Sequence, residues 1–378
     1  MQEIFREKLV AYLAADKAEK GRILDAICGT TGCLRKSAIR RFKTIQMRDT
    51  AAQVERRGRK VIYGPAVIDA LREAWNIGNR ICAERLKTQI AEYVHVLERD
   101  RMWRHGDMAT RLLLRMSLGT MKAKIASFEN VKKKGGRGTT KPSDLKEIIP
   151  VRRGPWQNPP SGFGEVDTVA HCGTTLLGDY CYTVQYTDVT TIWTALAGQW
   201  NKGEEETVRS ISRIKDHLPF RLLGIDPDSG GEFINWHLEG WCRRRNIRMT
   251  RTRPYMKNDH ARIEQKNYAN VRHVVGYTRF DDERQVAILN KLYNTLEDYI
   301  NFFLPSMKCV QKERIGSRYV KRYDGAKTAY ARVLERDDIP DATKKKLRGK
   351  YATLNPKNLK DECDRLVRKL LSFQPKLR

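Results

Sequence analysis

The chain has 378 residues, 73 of them lysine or arginine against 45 aspartate or glutamate, for a formal net charge of +28. That length holds two or three domains with a sizeable core, and basic residues spread along it point to a polyanion, nucleic acid foremost, bound through phosphates with counterion release; a basic protein with merely solvated charged faces is the alternative. Eight scattered cysteines with no Cys-x-x-Cys pair, no apolar signal segment after Met1 and no apolar run near the roughly 18 residues of a membrane helix exclude a disulfide framework, a zinc site and a membrane protein, so a soluble chain with reduced thiols is expected.

Residues 1–60 read as a helix-turn-helix domain. Ile23, Leu24 and Ile27 fall on one helical face, Gly29-Thr30-Thr31-Gly32 is expected to break the helix, and a second helix carries Arg35, Lys36, Arg40, Arg41 and Lys43 on its outer face. Such a basic second helix suits a major groove with phosphates alongside, and an ordinary helical hairpin is the competing reading. Residues 61–127 repeat the form twice, first as a helix, an Asn76-Ile77-Gly78 turn and a helix. In the second repeat, residues 106–125, Ser117 is the expected N-cap before Thr120, Lys122 and Lys124. Tandem units of this kind would read a longer DNA site than one. Residues 128–162, rich in Gly, Pro, Lys and Arg, form a basic linker, with Lys132, Lys133 and Lys134 able to meet a DNA backbone or simply to lie in a spacer.

From residue 163 to 303 the periodicity changes. FGEVDTVAH, DYCYTVQYTD and TTIWTALAG read as three short antiparallel strands, followed by a helix from Glu204 to about His217 and a buried strand ending at Ile225. A helix beginning near Gly231, the strand IRMTRTR, and a helix from near Asn258 past Glu264 complete the order β-β-β-α-β-α-β-α. That order predicts an α/β, ribonuclease H-like core: a mixed five-stranded sheet with helices on both faces. It would be preceded by the all-α helix-turn-helix domains and followed by a small C-terminal α/β or helical tail.

Three carboxylates could converge within such a core. Asp167 interrupts an apolar strand, where a charge costs several kcal/mol unless it is paired or bound to metal. Either Asp226 or Asp228 ends the fourth strand, and Glu264 lies early in a helix. Oxygen-only ligands suit Mg²⁺, and two such ions would clamp the attacking and leaving oxygens of an in-line phosphoryl displacement. Each residue also has an ordinary structural reading: a hydrogen-bonded buried aspartate, a turn residue and a solvated helix residue.

GEVDTV, DSGGEF and RTRPYMKNDHARIEQKN together resemble the integrase catalytic core of bacterial insertion-sequence transposases and retroviral integrases, the DDE group. That group has thirty-five residues between its second Asp and its Glu, and thirty-five separate Asp228 from Glu264. The resemblance therefore selects Asp228, with Asp226 a same-side neighbour and Gly230-Gly231 a close turn. Glu232 reads most simply as a first-turn residue favoured by the dipole of the helix that follows. The resemblance implies Asp167, Asp228 and Glu264 as catalytic residues and metal ligands, Asp167 bridging two Mg²⁺ (or Mn²⁺) ions and the others holding one each. Departures are visible: no histidine precedes His95, so a retroviral zinc module is absent. Tyr268 and Val271 stand where the retroviral core has basic residues, so contacts to element ends would fall to Lys257, Arg262, Lys266 and Arg272, which otherwise form a plain basic helix surface.

Residues 304–378 read as a basic tail of short strands and then helices, with Leu359, Cys363, Leu366 and Leu370 at helical spacing; it contacts DNA, bridges subunits or caps the fold. The resemblance implies a cytoplasmic, nucleoid-associated bacterial transposase. Such an enzyme binds the inverted repeats of a mobile element as at least a homodimer on double-stranded DNA, cleaves 3′ ends and joins them to target DNA. A ribonuclease H-like nuclease without strand transfer and a non-catalytic DNA-binding regulator are the alternatives.

Overall fold

The computed structural model describes residues 2–49, 62–128, 159–227, 232–251, 263, 266–315 and 318–373. The chain divides into two compact units, Met1–Ile62 and Tyr63–Arg378. The first holds α1 (Gln2–Ala14), α2 (Lys17–Thr31) and α3 (Arg35–Asp49). Asp16 starts α2 by accepting the Glu19 N–H at 2.8 Å. The break expected over Gly29-Thr30-Thr31-Gly32 falls at the last of these residues. The Thr30 and Thr31 hydroxyls bond back to the Ala26 and Ile27 carbonyls at 2.9 and 2.6 Å within the helix. Only Gly32 takes the left-handed conformation (φ 67) that ends α2, its N–H meeting the Cys28 carbonyl. Phe5, Leu9, Leu24, Ile27, Ala38 and Phe42 form the core of this unit, Phe42 stacking on Tyr12 at 4.1 Å.

The second unit opens with α4 (Pro65–Ile77), α5 (Ala83–Arg99), α6 (Asp107–Arg115) and α7 (Leu118–Ala126). Ser117 caps α7 as expected, accepting the Thr120 N–H at 3.2 Å. The sheet follows: β1 (Phe163–Ala170), β2 (Cys181–Asp188), β3 (Thr194–Trp200), then α8 (Glu204–His217), β4 (Gly224–Pro227), α9 (Trp236–Arg244) and β5 (Arg248–Met249). A π-helical turn, Asn267–Arg272, leads into α10 (His273–Val275) and then α11 (Arg284–Phe303). The strand order is β3-β2-β1-β4-β5, antiparallel among the first three strands and parallel from β1 through β4 to β5. This is the mixed five-stranded sheet that the element order predicts.

Alternation along the strands sends residues to two separate cores. Val166, Val184, Tyr186 and Ala197 meet Ile211 and Ile214 of α8 and Leu238 and Trp241 of α9. Val169, Cys181 and Leu196 join Val271, Val275 and the α11 residues Leu289, Leu292 and Leu296. Helices therefore cover both faces, which is why β2 is buried along its whole length. The outer edge of β3 is covered too, by polar side chains of α11. Asn290 exchanges two hydrogen bonds with the Gly198 backbone at 2.9 Å each, and Asn301 exchanges two with Thr194 at 2.8 and 2.7 Å. Between them Glu297 accepts the Leu196 N–H at 2.7 Å. An edge strand otherwise presents unpaired backbone groups to any other strand.

Helix α9 begins at Trp236 and not near Gly231. Its N-cap is Asn235, whose side chain accepts the Leu238 N–H at 2.8 Å. Beyond α11 lie the β6 (Cys309–Ile315) and β7 (Arg318–Tyr323) hairpin, α12 (Ala329–Leu334), α13 (Asp341–Thr353) and α14 (Pro356–Leu371). Cys363, Leu366 and Leu370 of α14 are buried in the same cluster as α4–α7 and α11. The region read from sequence as DNA-binding ahead of a separate core, residues 61–127, thus shares, from Val67 onward, one hydrophobic interior with the sheet and the C-terminal helices. The Tyr93 hydroxyl donates to the Phe303 carbonyl at 2.9 Å, and that of Tyr299 to the Ile77 carbonyl.

Candidate active site

Asp167 lies on β1, the central strand, on the face that receives the π-helical turn. Its Oδ2 accepts from Asn267 Nδ2 at 2.6 Å and its Oδ1 from the Thr168 N–H at 2.8 Å. Asn270, one residue short of a turn further on, donates to Gln185 Oε1 at 3.4 Å, and Gln185 is the β2 partner of Asp167. Polar contacts from Asn267 and Asn270 therefore seat this turn against the strands together with the buried Val271. A π turn is rare and concentrates at functional sites because it re-aims side chains by one position.

The parallel pairing of β1 with β4 runs from Phe163↔Gly224 to Val166↔Pro227. The residues that follow this last pair in the sequence are Asp167 and Asp228. Asp228, Glu264, Gly230 and Gly231 lie outside the described residues, as do Lys132, Lys133, Lys134, Lys257 and Arg262. Asp226 is described, and it is 0 % exposed. Its Oδ1 accepts from the Thr250 hydroxyl at 2.5 Å, and its register partner is Glu165, also buried, which accepts the Ile263 N–H at 3.3 Å. Asp226 is an internal, hydrogen-bonded carboxylate that ties β4 to the end of β5. Among the described residues, no group of three or more His, Cys, Asp or Glu is placed to hold a metal ion.

Glu232 is not a first-turn residue of the following helix, which starts four residues later. Its carboxylate turns inward, ion-paired with Lys202 at 2.8 Å and accepting from the Thr168 hydroxyl at 2.9 Å. Lys202 in turn lies over the Tyr182 ring, 5.4 Å from its centroid. Glu232 is thereby tied to β1 through Thr168, whose side chain lies on the strand face opposite to that of Asp167, and to the β3–α8 turn through Lys202.

On α3, Arg35, Lys36, Arg40, Arg41 and Lys43 are exposed, while Ala38 and Phe42 face the core. Arg35 pairs with Asp25, and Arg41 lies over the Phe5 ring at 5.5 Å. Lys122 is exposed and paired with Glu84 at 2.6 Å, and Lys124 is half-buried. Lys266 differs from a solvated surface lysine: desolvation, with Arg85 and Arg332 adding to it, lowers its ammonium to about 7. Arg272 turns inward to the Ala170 carbonyl at 2.6 Å and stacks on Tyr277. Val271 is in the core, which explains why no basic residue stands there, whereas Tyr268 is exposed.

Asn267, Glu165 and the Lys202–Glu232 pair are the parts that sequence reasoning missed. Asn267 follows Glu264 by three, a spacing that shares one helix face, and so could have been found. Glu165 and Lys202 carry no such signal, since their partners come from distant segments.

The sheet and its two helical layers define an α/β protein with a polar patch centred on its middle strand. No family model matches the chain. It is 36 % identical over 328 residues to "Uncharacterized protein y4rM" of Sinorhizobium fredii (strain NBRC 101917 / NGR234), covering 85 % of this chain and 91 % of that protein. The chain belongs to the y4rM family. Among solved structures, it is similar to the HTLV-2 integrase catalytic core domain in complex with magnesium. The dimeric form matches at 12 % identity and a TM-score of 0.30 over 39 % of this chain and 90 % of that one. The trimeric form matches at 14 % and 0.28 over 38 % and 86 %.

Proposed function

We propose that the chain is a DNA transposase of the integrase type, which cleaves the 3′ ends of a mobile element and joins them to target DNA. The observation that carries the reading is the place of Asp167. It is a half-buried carboxylate on the central strand of a mixed sheet, held by Asn267 and following the last register pair with β4, whose own chain continues into Asp228. The thirty-five-residue interval from Asp228 to Glu264 supports the same set.

Asp167, Asp228 and Glu264 form a donor set of hard carboxylate oxygens, which fits Mg²⁺ or Mn²⁺. When bound, two such ions supply Lewis-acid activation and neutralise charge on the attacking and leaving oxygens. Asn267 fixes the rotamer of Asp167 by occupying one lobe of Oδ2. The Lys202–Glu232–Thr168 contacts tie Glu232 to β1 at the residue after Asp167. In the first reaction a water oxygen attacks phosphorus and the 3′ oxygen leaves, taking a proton to become a 3′-OH. In the second, that 3′-OH attacks a target phosphodiester in line and expels the target 3′ oxygen. The exposed basic face of α3 supplies phosphate contacts for binding the inverted repeats, and a dimer or larger assembly brings two ends together.

Strand transfer of pre-cleaved element ends, with Mg²⁺ or Mn²⁺, tests the reading. Asp167→Asn, Asp228→Asn and Glu264→Gln should each abolish the joined product, by about 10³-fold or more for loss of a group acting only in the transition state. Asp226→Asn should keep strand transfer to the extent that it keeps the fold. Joined product from Asp228→Asn, with none from a folded Asp226→Asn, would overturn the assignment.

A further inference from the structure

We propose that the β6–β7 hairpin is a DNA-contacting ribbon that lies in a groove of double-stranded DNA, a second contact surface besides α3. The proposal rests on the DNA-transaction reading for its biological sense, but its evidence is separate. Residues 308–323 contain six basic side chains, Lys308, Lys312, Arg314, Arg318, Lys321 and Arg322, and one acidic, Glu313. In the backbone register Lys312 stands opposite Lys321, so the two strands bring basic sequence positions side by side. None of the described residues from 309 to 323 joins a buried cluster. Lys321 and Arg322 are exposed, as are Val310, Val320 and Tyr323 at 61, 45 and 53 %.

A lone two-stranded ribbon is marginally stable, so something must hold this one. Its base is clamped. The Asp324 carboxylate accepts the Lys308 N–H at 2.6 Å and pairs with the buried Arg332 at 2.5 Å, and Arg332 also donates to the Ser306 carbonyl at 2.9 Å. Ser306 and Lys327 close the base as an antiparallel bridge. The ribbon is thus fixed at the root, and the side chains of Val310, Val320, Lys321, Arg322 and Tyr323 along it are exposed. Its width and its basic, apolar and aromatic mix match what a major groove admits: a two-stranded β-ribbon, with cations for phosphates and apolar side chains for base edges.

The test is binding of the full chain to a short mixed-sequence duplex, followed by anisotropy across a salt series. Lys321→Ala with Arg322→Ala should reduce the slope of log K against log salt by about 2 and weaken binding roughly tenfold or more near 0.1 M salt. Lys321→Arg with Arg322→Lys should retain both, and equal melting temperatures would show that the exposed substitutions leave the fold intact. An unchanged slope in the alanine variant overturns the proposal, as does an equal loss on a single-stranded oligonucleotide. Strand transfer run on the same preparations separates the two readings. Wild-type protein that binds duplex through the ribbon but joins no ends sinks the transposase reading and leaves the ribbon standing. Joining with no effect of the ribbon variant on binding does the reverse.

Discussion

Glu232 and Lys202 show how much one inward-facing carboxylate can fix. The Glu232 side chain is 6 % exposed and that of Lys202 30 %, so the pair is largely desolvated, and removing one partner leaves the other's charge stranded. Lys202→Met should therefore destabilise the second unit by about 3 kcal/mol, the lower end for breaking a buried pair. Adding Glu232→Gln should recover most of that loss, because the amide still accepts from Thr168 and no net charge remains buried. Denaturant unfolding of the single and double variants measures this, and additive losses would refute it. His171 offers a second test, in pH. It follows β1, shares Nε2 with the Thr183 hydroxyl at 2.7 Å and packs on Phe280. Burial, reinforced by Arg272, holds its imidazole neutral, at about 3 against an ordinary 6.5. A folded value depressed below the unfolded one means stability that is present above pH 6.5 and lost as pH falls toward 3. His171→Gln, which keeps a hydrogen-bonding group without the titration, should thus lose less stability on acidification, by about 1.4 kcal/mol per pH unit below 6.5. The comparison is cleanest above pH 4.5, before Asp100 and Asp338, both held at about 2 mainly by arginine hydrogen bonds, take up protons.

At the scale of elements, α11 acts as a surrogate strand for β3. Asn290, Glu297 and Asn301 recur at intervals of seven and four, which places them on one helical face, and that face meets the backbone of an edge that would otherwise be open. Asn301→Leu strands both the N–H and the carbonyl of Thr194. A cost of about 1–3 kcal/mol for each orphaned group should lower the melting temperature by several degrees in a unit of this size. Hydrogen exchange separates this from a general loosening: the Thr194 amide should lose protection first, while amides in the centre of β2 keep theirs. The existence and order of the strands were legible from alternation and length. The roles of these three polar residues were not, because a polar residue on an amphipathic helix reads as solvated until the partner strand is known. The start of α9 was legible but misread. Gly230-Gly231 drew the boundary forward, although Asn235, three residues before Leu238, is the stronger capping signal. The same early boundary puts Glu232 on a helix terminus, whereas its carboxylate turns inward to Lys202 and Thr168.

For the whole molecule, the question is where an independently folding core ends. Composition and periodicity drew lines at 127 and at 303, because a basic Gly- and Pro-rich stretch and a fading pattern look like domain borders, and neither signal reports which apolar faces meet. The interior crosses both lines. Leu71, Leu86, Ile90 and Tyr93 of α4 and α5, Leu289, Leu292, Leu296 and Phe303 of α11, and Cys363, Leu366 and Leu370 of α14 belong to one buried cluster. Excising residues 163–303 would strip the outward side of α11 of those neighbours and of its hydrogen bonds to Tyr93 and Ile77. An apolar face larger than the few hundred Å² that soluble monomers usually tolerate would then be exposed. The fragment 163–303 should accordingly bind hydrophobic dyes, lack near-ultraviolet circular dichroism and aggregate, whereas 63–378 should unfold in one cooperative transition with sharp near-ultraviolet bands. Residues 1–62, with their own Phe5–Phe42 core, should add a second, independent transition to the full chain. A monomeric 163–303 fragment with native near-ultraviolet bands would mean that the sheet and α11 are self-sufficient and that the surrounding helices only decorate them.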